Sequence, residues 1–243
     1  MRFEEFETGD FICRLATDNE LDDVYHLRYK YLIQEYNKDY VNETETFIVD
    51  EDKYAYQLIV LEKTTKKIVG TYRMIANSGF VDTNLCVQKE FDIASFIKNK
   101  SYLEIGGLCV AMDYRNGPVI FMLVKGVYRF ARDNSLDYIF GLTSFLYKDI
   151  VEYDDVFKYI YDNYQLDVEI LAKVPSIDLS KCKGVSPYEK IKTTMPPVLR
   201  LYLLLGGKIN RYAAIDYSYP SIDLFTVLNT AEMNLKMIER LLK

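Results

Sequence analysis

Leu103-Glu104-Ile105-Gly106-Gly107-Leu108-Cys109-Val110 leads, through Ala111 and Met112, into Asp113-Tyr114-Arg115-Asn116-Gly117-Pro118-Val119-Ile120. The first stretch belongs to a strongly apolar strand, predicted over Tyr102–Val110, with one carboxylate set into it. The second is a turn that opens a helix. Pro118 suits a first helical position, because the N–H it lacks would have no intrahelical partner anyway. That helix is predicted to run to Asp133. Residues 136–142 follow as a strand apolar on both faces, and therefore buried. Strand, turn, helix and strand in this order mark an α/β fold.

Upstream, residues 57–61 and 68–75 read as two strands of a hairpin around a Thr- and Lys-rich turn at 63–67. Thr17 and Glu20 make a Ser/Thr-x-x-Glu capping box. Leu21, Val24, Tyr25, Arg28, Tyr31 and Leu32 follow at helical spacing. Residues 11–16 read as a first strand, 37–52 as an acidic loop and 94–98 as a short helix. Downstream, the pattern predicts a helix over 149–164, a strand over 166–172 and a loop over 173–187. A helix over 196–205 is then stopped by Gly206-Gly207, and two closing strands cover 209–216 and 223–228. No repeat or linker divides the chain. Residues 1–243 are expected to form one α/β domain with a mixed central sheet flanked by helices.

Composition narrows the function. The net charge of −6 argues against a nucleic-acid protein, which would carry a basic surplus. Four widely spaced cysteines and a single histidine, His26, offer no zinc-ligand spacing, so no metal site is expected. His26, inside a helical pattern, reads as a satisfied helix-face residue. The 22 tyrosines read as coding bias rather than as an aromatic tunnel. Residues 1–10 are acidic and carry no signal-peptide core, and no apolar run is long enough to cross a bilayer. The expected location is cytoplasmic. The basic, amphipathic segment 235–243 suits a packed terminal helix, or a weak contact with a membrane surface.

Three features could carry chemistry. Glu104 would cost several kcal/mol to bury unless paired or protonated; such a group is apt as a general base towards an amine, or else it faces solvent from an edge strand. Gly106 and Gly107 permit close approach to the backbone. The turn at Arg115, Asn116 and Gly117 precedes a helix N-terminus, which with the Arg115 guanidinium could hold a phosphate, or it is an ordinary strand-to-helix turn. Arg28 and Arg73 fall near the core and need partners, for which Asp50, Glu51 and Asp52 are at hand. A structural ion-pair network and a substrate pocket fit them equally.

Taken in order, Glu104-Ile105-Gly106, Cys109-Val110, Asp113-Tyr114-Arg115, Val119-Ile120, Tyr138-Ile139-Phe140-Gly141 and Ser144-Phe145 resemble the bacterial ornithine-lipid N-acyltransferases. These are also described as hemolysin-like acyltransferases of the GNAT superfamily. The group is similar to the long-chain N-acyl amino acid synthases and, more distantly, to the acyl-homoserine lactone synthases. Leu27-Arg28-Tyr29, Val69-Gly70-Thr71-Tyr72-Arg73, Pro196-Pro197-Val198-Leu199-Arg200, Leu205-Gly206 and Ile215-Asp216 extend the likeness over most of the chain.

The resemblance implies an acetyltransferase-like fold and an acyl-phosphopantetheine donor, with no tightly bound cofactor. The donor would be acyl carrier protein, or acyl-CoA in its place, and the acceptor an amino acid or small amine. By position, Glu104 matches the proposed general base, Arg28 and Arg73 match family arginines, and Asp52 and Asp50 match acidic positions. Backbone N–H groups near Cys109, Val110 and Ala111 would hold the oxyanion. Cys109 as an acylated nucleophile is the alternative, although buried cysteines are usually inert. Lys125, Arg129 and Arg132 could offer a basic face to the acidic carrier, or are simply solvated. Relatives carry Arg three positions after the glutamate; this chain has Gly107. That departure leaves the acceptor open, and Arg200 is the candidate substitute.

Overall fold

The computed structural model describes residues 1–35, 41–77, 85–146, 150–185, 187–234 and 236–237. The chain divides into two compact units, one of residues 1–83, 103–136 and 238–243, the other of residues 84–102 and 137–237.

The first unit is built on five antiparallel strands: β1 (Phe6–Thr8), β2 (Phe11–Leu15), β3 (Tyr56–Glu62), β4 (Ile68–Ala76) and β5 (Tyr102–Val110), each paired with the next. The expected hairpin is β3–β4, with Lys66 in the left-handed region at φ 60°. Thr17 and Glu20 form the expected box: Glu20 Oε2 accepts from both the Thr17 N–H and its hydroxyl. They cap a short 3-10 turn, Asp18–Glu20, which runs into α1 (Leu21–Arg28). Past Arg28 the helix widens into a π-helical stretch, Tyr29–Gln34. The helix α3 (Val119–Asp133) begins one residue later than expected, with Pro118 as its N-cap.

Each helix takes one face of this sheet. Alternation puts Leu58 and Gly70 on the α3 side. A Cβ on Gly70 would meet Val119 at 2.6 Å, and one on Gly126 would meet Leu58 at 2.7 Å, so helix and sheet touch through two glycines. The opposite face carries Ile59 and Leu61, which pack with Val24 and Leu27 of α1 and with Cys109.

The second unit holds β6 (Tyr138–Leu146), β7 (Ser176–Asp178), β8 (Lys208–Asp216) and β9 (Ser221–Asn229). Antiparallel pairing runs β6–β9–β8–β7. Its helices are α2 (Ala94–Ile97), α4 (Asp154–Tyr164), α5 (Tyr188–Thr194) and α6 (Pro197–Leu204). Val156, Phe157 and Ile160 of α4 form a core with Leu199, Leu203, Ile222 and Leu224. Gly206, at φ 98°, ends α6 as anticipated. The strand expected over 166–172 does not form. Asn210 takes that backbone instead, donating to Ile170 O and accepting from Ile170 N. Its side chain supplies the bonds that a ladder would have supplied. The helix α5 is not expected from the sequence. Most of the amphipathic segment 235–243 lies outside the described residues.

Candidate active site

Glu104 lies on β5, 2% exposed, between Leu103 and Ile105. The solvent-facing alternative does not hold. Opposite residues of antiparallel strands point to the same side of a sheet. Gln57 on β3 stands opposite Arg73 on β4, and Arg73 opposite Gly106 on β5. Glu104, two residues before Gly106, shares their face. Gln57, Arg73 and Glu104 therefore project from three adjacent strands to the side that α1 covers.

β5 is irregular just beyond. Thr71 pairs with Cys109 and Arg73 with Gly106, so Gly107 and Leu108 together stand opposite Tyr72 alone. This is a β-bulge, and Gly107 has φ 60°, a conformation that a side chain would strain. The extra residue restores Cys109 to the face of Glu104 and Gly106. A bulge also takes backbone N–H groups out of the ladder.

Both glycines sit under arginines. A Cβ on Gly106 would come within 2.6 Å of an Arg73 guanidinium nitrogen. A Cβ on Gly107 would meet Arg28 Nε at 3.2 Å and Cζ at 3.3 Å. The close approach foreseen at this pair of residues is made by the protein's own cations.

Arg28 is 1% exposed. It donates to Asp52 Oδ1 at 2.7 Å and to Gln57 Oε1 at 2.5 Å. Gln57 Nε2 closes the ring onto Asp52 Oδ1 at 2.8 Å, and the Val49 N–H donates to Asp52 Oδ2. Burial lowers the Arg28 pKa from its ordinary value, and Asp52 opposes that shift. The guanidinium also lies 5.8 Å from the Tyr25 ring centroid, and its Nε has no hydrogen-bond partner. The sequence suggested Arg28 with Asp52; Gln57 was missed. Its only signal was an amide at the start of an apolar strand. Glu51 turns inward with Asp52, whereas Asp50 is exposed and is not brought to this cluster.

Cys109 is a buried thiol that donates to Leu27 O, and burial pushes its pKa up to about 12. That leaves no thiolate for attack. The Ala111 N–H donates to Val69 O on β4, so it is committed to the sheet rather than to an oxyanion. Arg115 is committed as well. It forks onto Glu35 at 2.6 and 2.5 Å and donates through Nε to Val110 O, so a phosphate would have to compete with Glu35. Asn116 and Gly117 lead directly into α3, whose first-turn N–H groups have no intrahelical acceptor. Lys125 and Arg129 both lie over the Phe6 ring, while Arg132 turns to Asp133 and Tyr128. Arg200 sits half-buried on α6 in the second unit.

The acetyltransferase (GNAT) domain family matches residues 27–125, from the residue before Arg28 to the middle of α3, and so includes Asp52, Arg73, Glu104 and the bulge. The chain has the acetyltransferase (GNAT) fold. It is 26% identical to an L-ornithine N(alpha)-acyltransferase of Agrobacterium fabrum, covering 90% of this chain and 81% of that protein. It is 24% identical to one of Rhizobium meliloti, covering 86% and 76%. Among solved structures the chain is similar in fold to FeeM, an N-acyl amino acid synthase from uncultured soil microbes. That likeness has a TM-score of 0.53 at 14% identity, over 91% of this chain and 92% of that one. The CoA-dependent acyl-homoserine lactone synthase BjaI gives a TM-score of 0.54 at 12% identity, over 92% and 82%. No described helix is long and apolar enough to cross a membrane.

Proposed function

We propose that residues 1–243 act as one domain that moves a long acyl chain from a phosphopantetheine thioester to the α-amine of an amino acid. Ornithine is the first acceptor to test, since the curated relatives are named for it. Acyl carrier protein is the proposed donor, with acyl-CoA as its substitute.

The observation that carries the mechanism is the burial of Glu104 on one sheet face with Arg73, directly before the bulge. An ammonium cannot attack a thioester. Glu104, directly or through a water, takes the proton, and the amine nitrogen adds to the carbonyl carbon. Backbone N–H groups released at Gly107 and Leu108 face the developing oxyanion. Collapse of the tetrahedral intermediate forms the amide and expels the pantetheine thiolate, which takes up the second proton that the nitrogen gives up, while Glu104 releases the first to solvent. Arg28 and Arg73 set the electrostatics of this face and hold the bulge in shape from above. Asp50 and Arg200 remain proposed acceptor contacts, and the turn at Arg115–Gly117 a proposed phosphate contact. The enzyme works in the cytoplasm, touching the membrane surface where its amphiphilic product departs.

Mass spectrometry of lipid extracts from cells expressing the protein tests this reading. A new N-acyl amino acid, absent with Glu104→Gln, supports it and names acceptor and chain length. Acetylated products alone, formed from acetyl-CoA by the purified enzyme, would overturn the long-chain donor.

A further inference from the structure

The second unit holds another acidic group. Asp223 lies on β9, opposite Ser144 of β6 and Ala214 of β8. Asp216 ends β8, and Glu90 follows the short turn Cys86–Lys89. One carboxylate oxygen from each of Glu90, Asp216 and Asp223 lies within 4.8 Å of the other two.

Like charges this close repel, and burial strengthens the repulsion. A protein ordinarily answers with a cation, yet among the described residues no lysine or arginine pairs with any of the three. Their partners are neutral. Asp223 Oδ2 accepts from Ser221 Oγ at 2.8 Å, and the Ser144 hydroxyl also donates to this carboxylate. Asp216 Oδ1 accepts from the Ser218 N–H and hydroxyl and from the Tyr219 N–H, which fixes the carboxylate in the β8–β9 turn. Two oxygens remain over. Asp223 is 3% exposed, and its Oδ1 has no hydrogen-bond partner; neither has Glu90 Oε2. A buried acceptor with nothing to accept from is rare in folded proteins. Here two occur in one cluster with a third carboxylate beside them.

We propose that Glu90, Asp216 and Asp223 bind a hard divalent cation, calcium in preference to magnesium. The donor set is oxygen only, which excludes the soft thiolate and imidazole preferences of zinc or copper. Calcium takes several carboxylates in loose geometry, whereas magnesium keeps most of its water and uses one or two. An ion here would cancel the mutual repulsion and occupy both unpartnered oxygens. It would also tie the β8–β9 turn to the segment after Cys86, bracing the second unit. A search by Cys and His spacing could not find such a site, because its ligands are common acids far apart in sequence.

The test is binding and stability of the whole chain after EDTA treatment and desalting. Addition of CaCl2 should raise Tm by roughly 5–10 °C at about a hundredfold excess over Kd, with a weaker response to MgCl2. Terbium luminescence should titrate to one site. Both responses should vanish in Glu90→Gln and in Asp223→Asn. The half-buried Glu90 is the safer of the two for folding, and circular dichroism checks each variant. No response of the wild type to any divalent ion, or a response that survives both substitutions, overturns the proposal. A Tm rise with ornithine or putrescine but with no metal would overturn it too, reassigning the carboxylates to an organic ammonium.

Discussion

The Arg28 guanidinium rests on the backbone of Gly107, with Nε 3.2 Å from where a Cβ would stand. The resemblance leads to the expectation of an arginine at this position; the space above it is filled by an arginine from α1. Gly107→Arg should therefore not restore a missing group. It should cost roughly 1–2 kcal/mol for the left-handed backbone alone and displace Arg28. The expected result is a lower denaturant midpoint with reduced turnover, and a more active variant would refute the arrangement.

Glu104→Gln keeps the size of the side chain and removes its basicity. Turnover is expected to fall by about 10²–10⁴-fold, the range for a positioned general base, with circular dichroism unchanged. Activity at the wild-type level would remove Glu104 from the chemistry.

Asp52→Ala would leave Arg28 buried without its carboxylate and Gln57 without its acceptor. Breaking one side of a buried pair costs about 3–5 kcal/mol. Urea denaturation should show that loss. Asp50→Ala, at the surface, should show almost none, and the contrast between neighbours is the diagnostic.

Thiol labelling separates the cysteines. Burial raises the pKa of Cys13, and it raises those of Cys109 and Cys182 to about 12. In the native protein at pH 8, iodoacetamide should reach the half-buried Cys86 well before these three. Cys109→Ala should retain catalysis, and its abolition without loss of fold would revive the acyl-cysteine route.

Glu20 caps the turn before α1 and pairs with Arg14, which lowers its pKa from 4.5 to about 2. A depressed acid stabilises the fold above its unfolded pKa and loses that contribution as pH falls through the folded value. Wild type should exceed Glu20→Gln by about 1 kcal/mol at pH 7. The difference should shrink between about pH 4.5 and pH 2. A gap independent of pH would mean that the carboxylate charge is not what matters.

The sequence was most informative where periodicity and capping act locally. The helix after Thr17, the hairpin at 57–75 and the helix after Pro118 needed only neighbouring residues. Glu104 was conspicuous because a charge in an apolar strand is expensive. What escaped was set by distance. Nothing near Gln57 indicates that Arg28 and Asp52 will close around it. Asn210 gives no sign that its amide will replace a strand's hydrogen bonds at Ile170. The meeting of Glu90 with Asp216 and Asp223 joins residues more than a hundred positions apart, and acids at that spacing look like any solvated surface.

The bulge at Gly107 and Leu108 also governs which changes of chain length β5 can survive. Deleting either residue would leave the composition of the strand almost untouched, yet every side chain after it would exchange faces. Cys109 would leave α1 for the α3 side, and Val110 would take its place. Alignments of this group should therefore hold the interval from Glu104 to Cys109 free of gaps, even where residue identities drift.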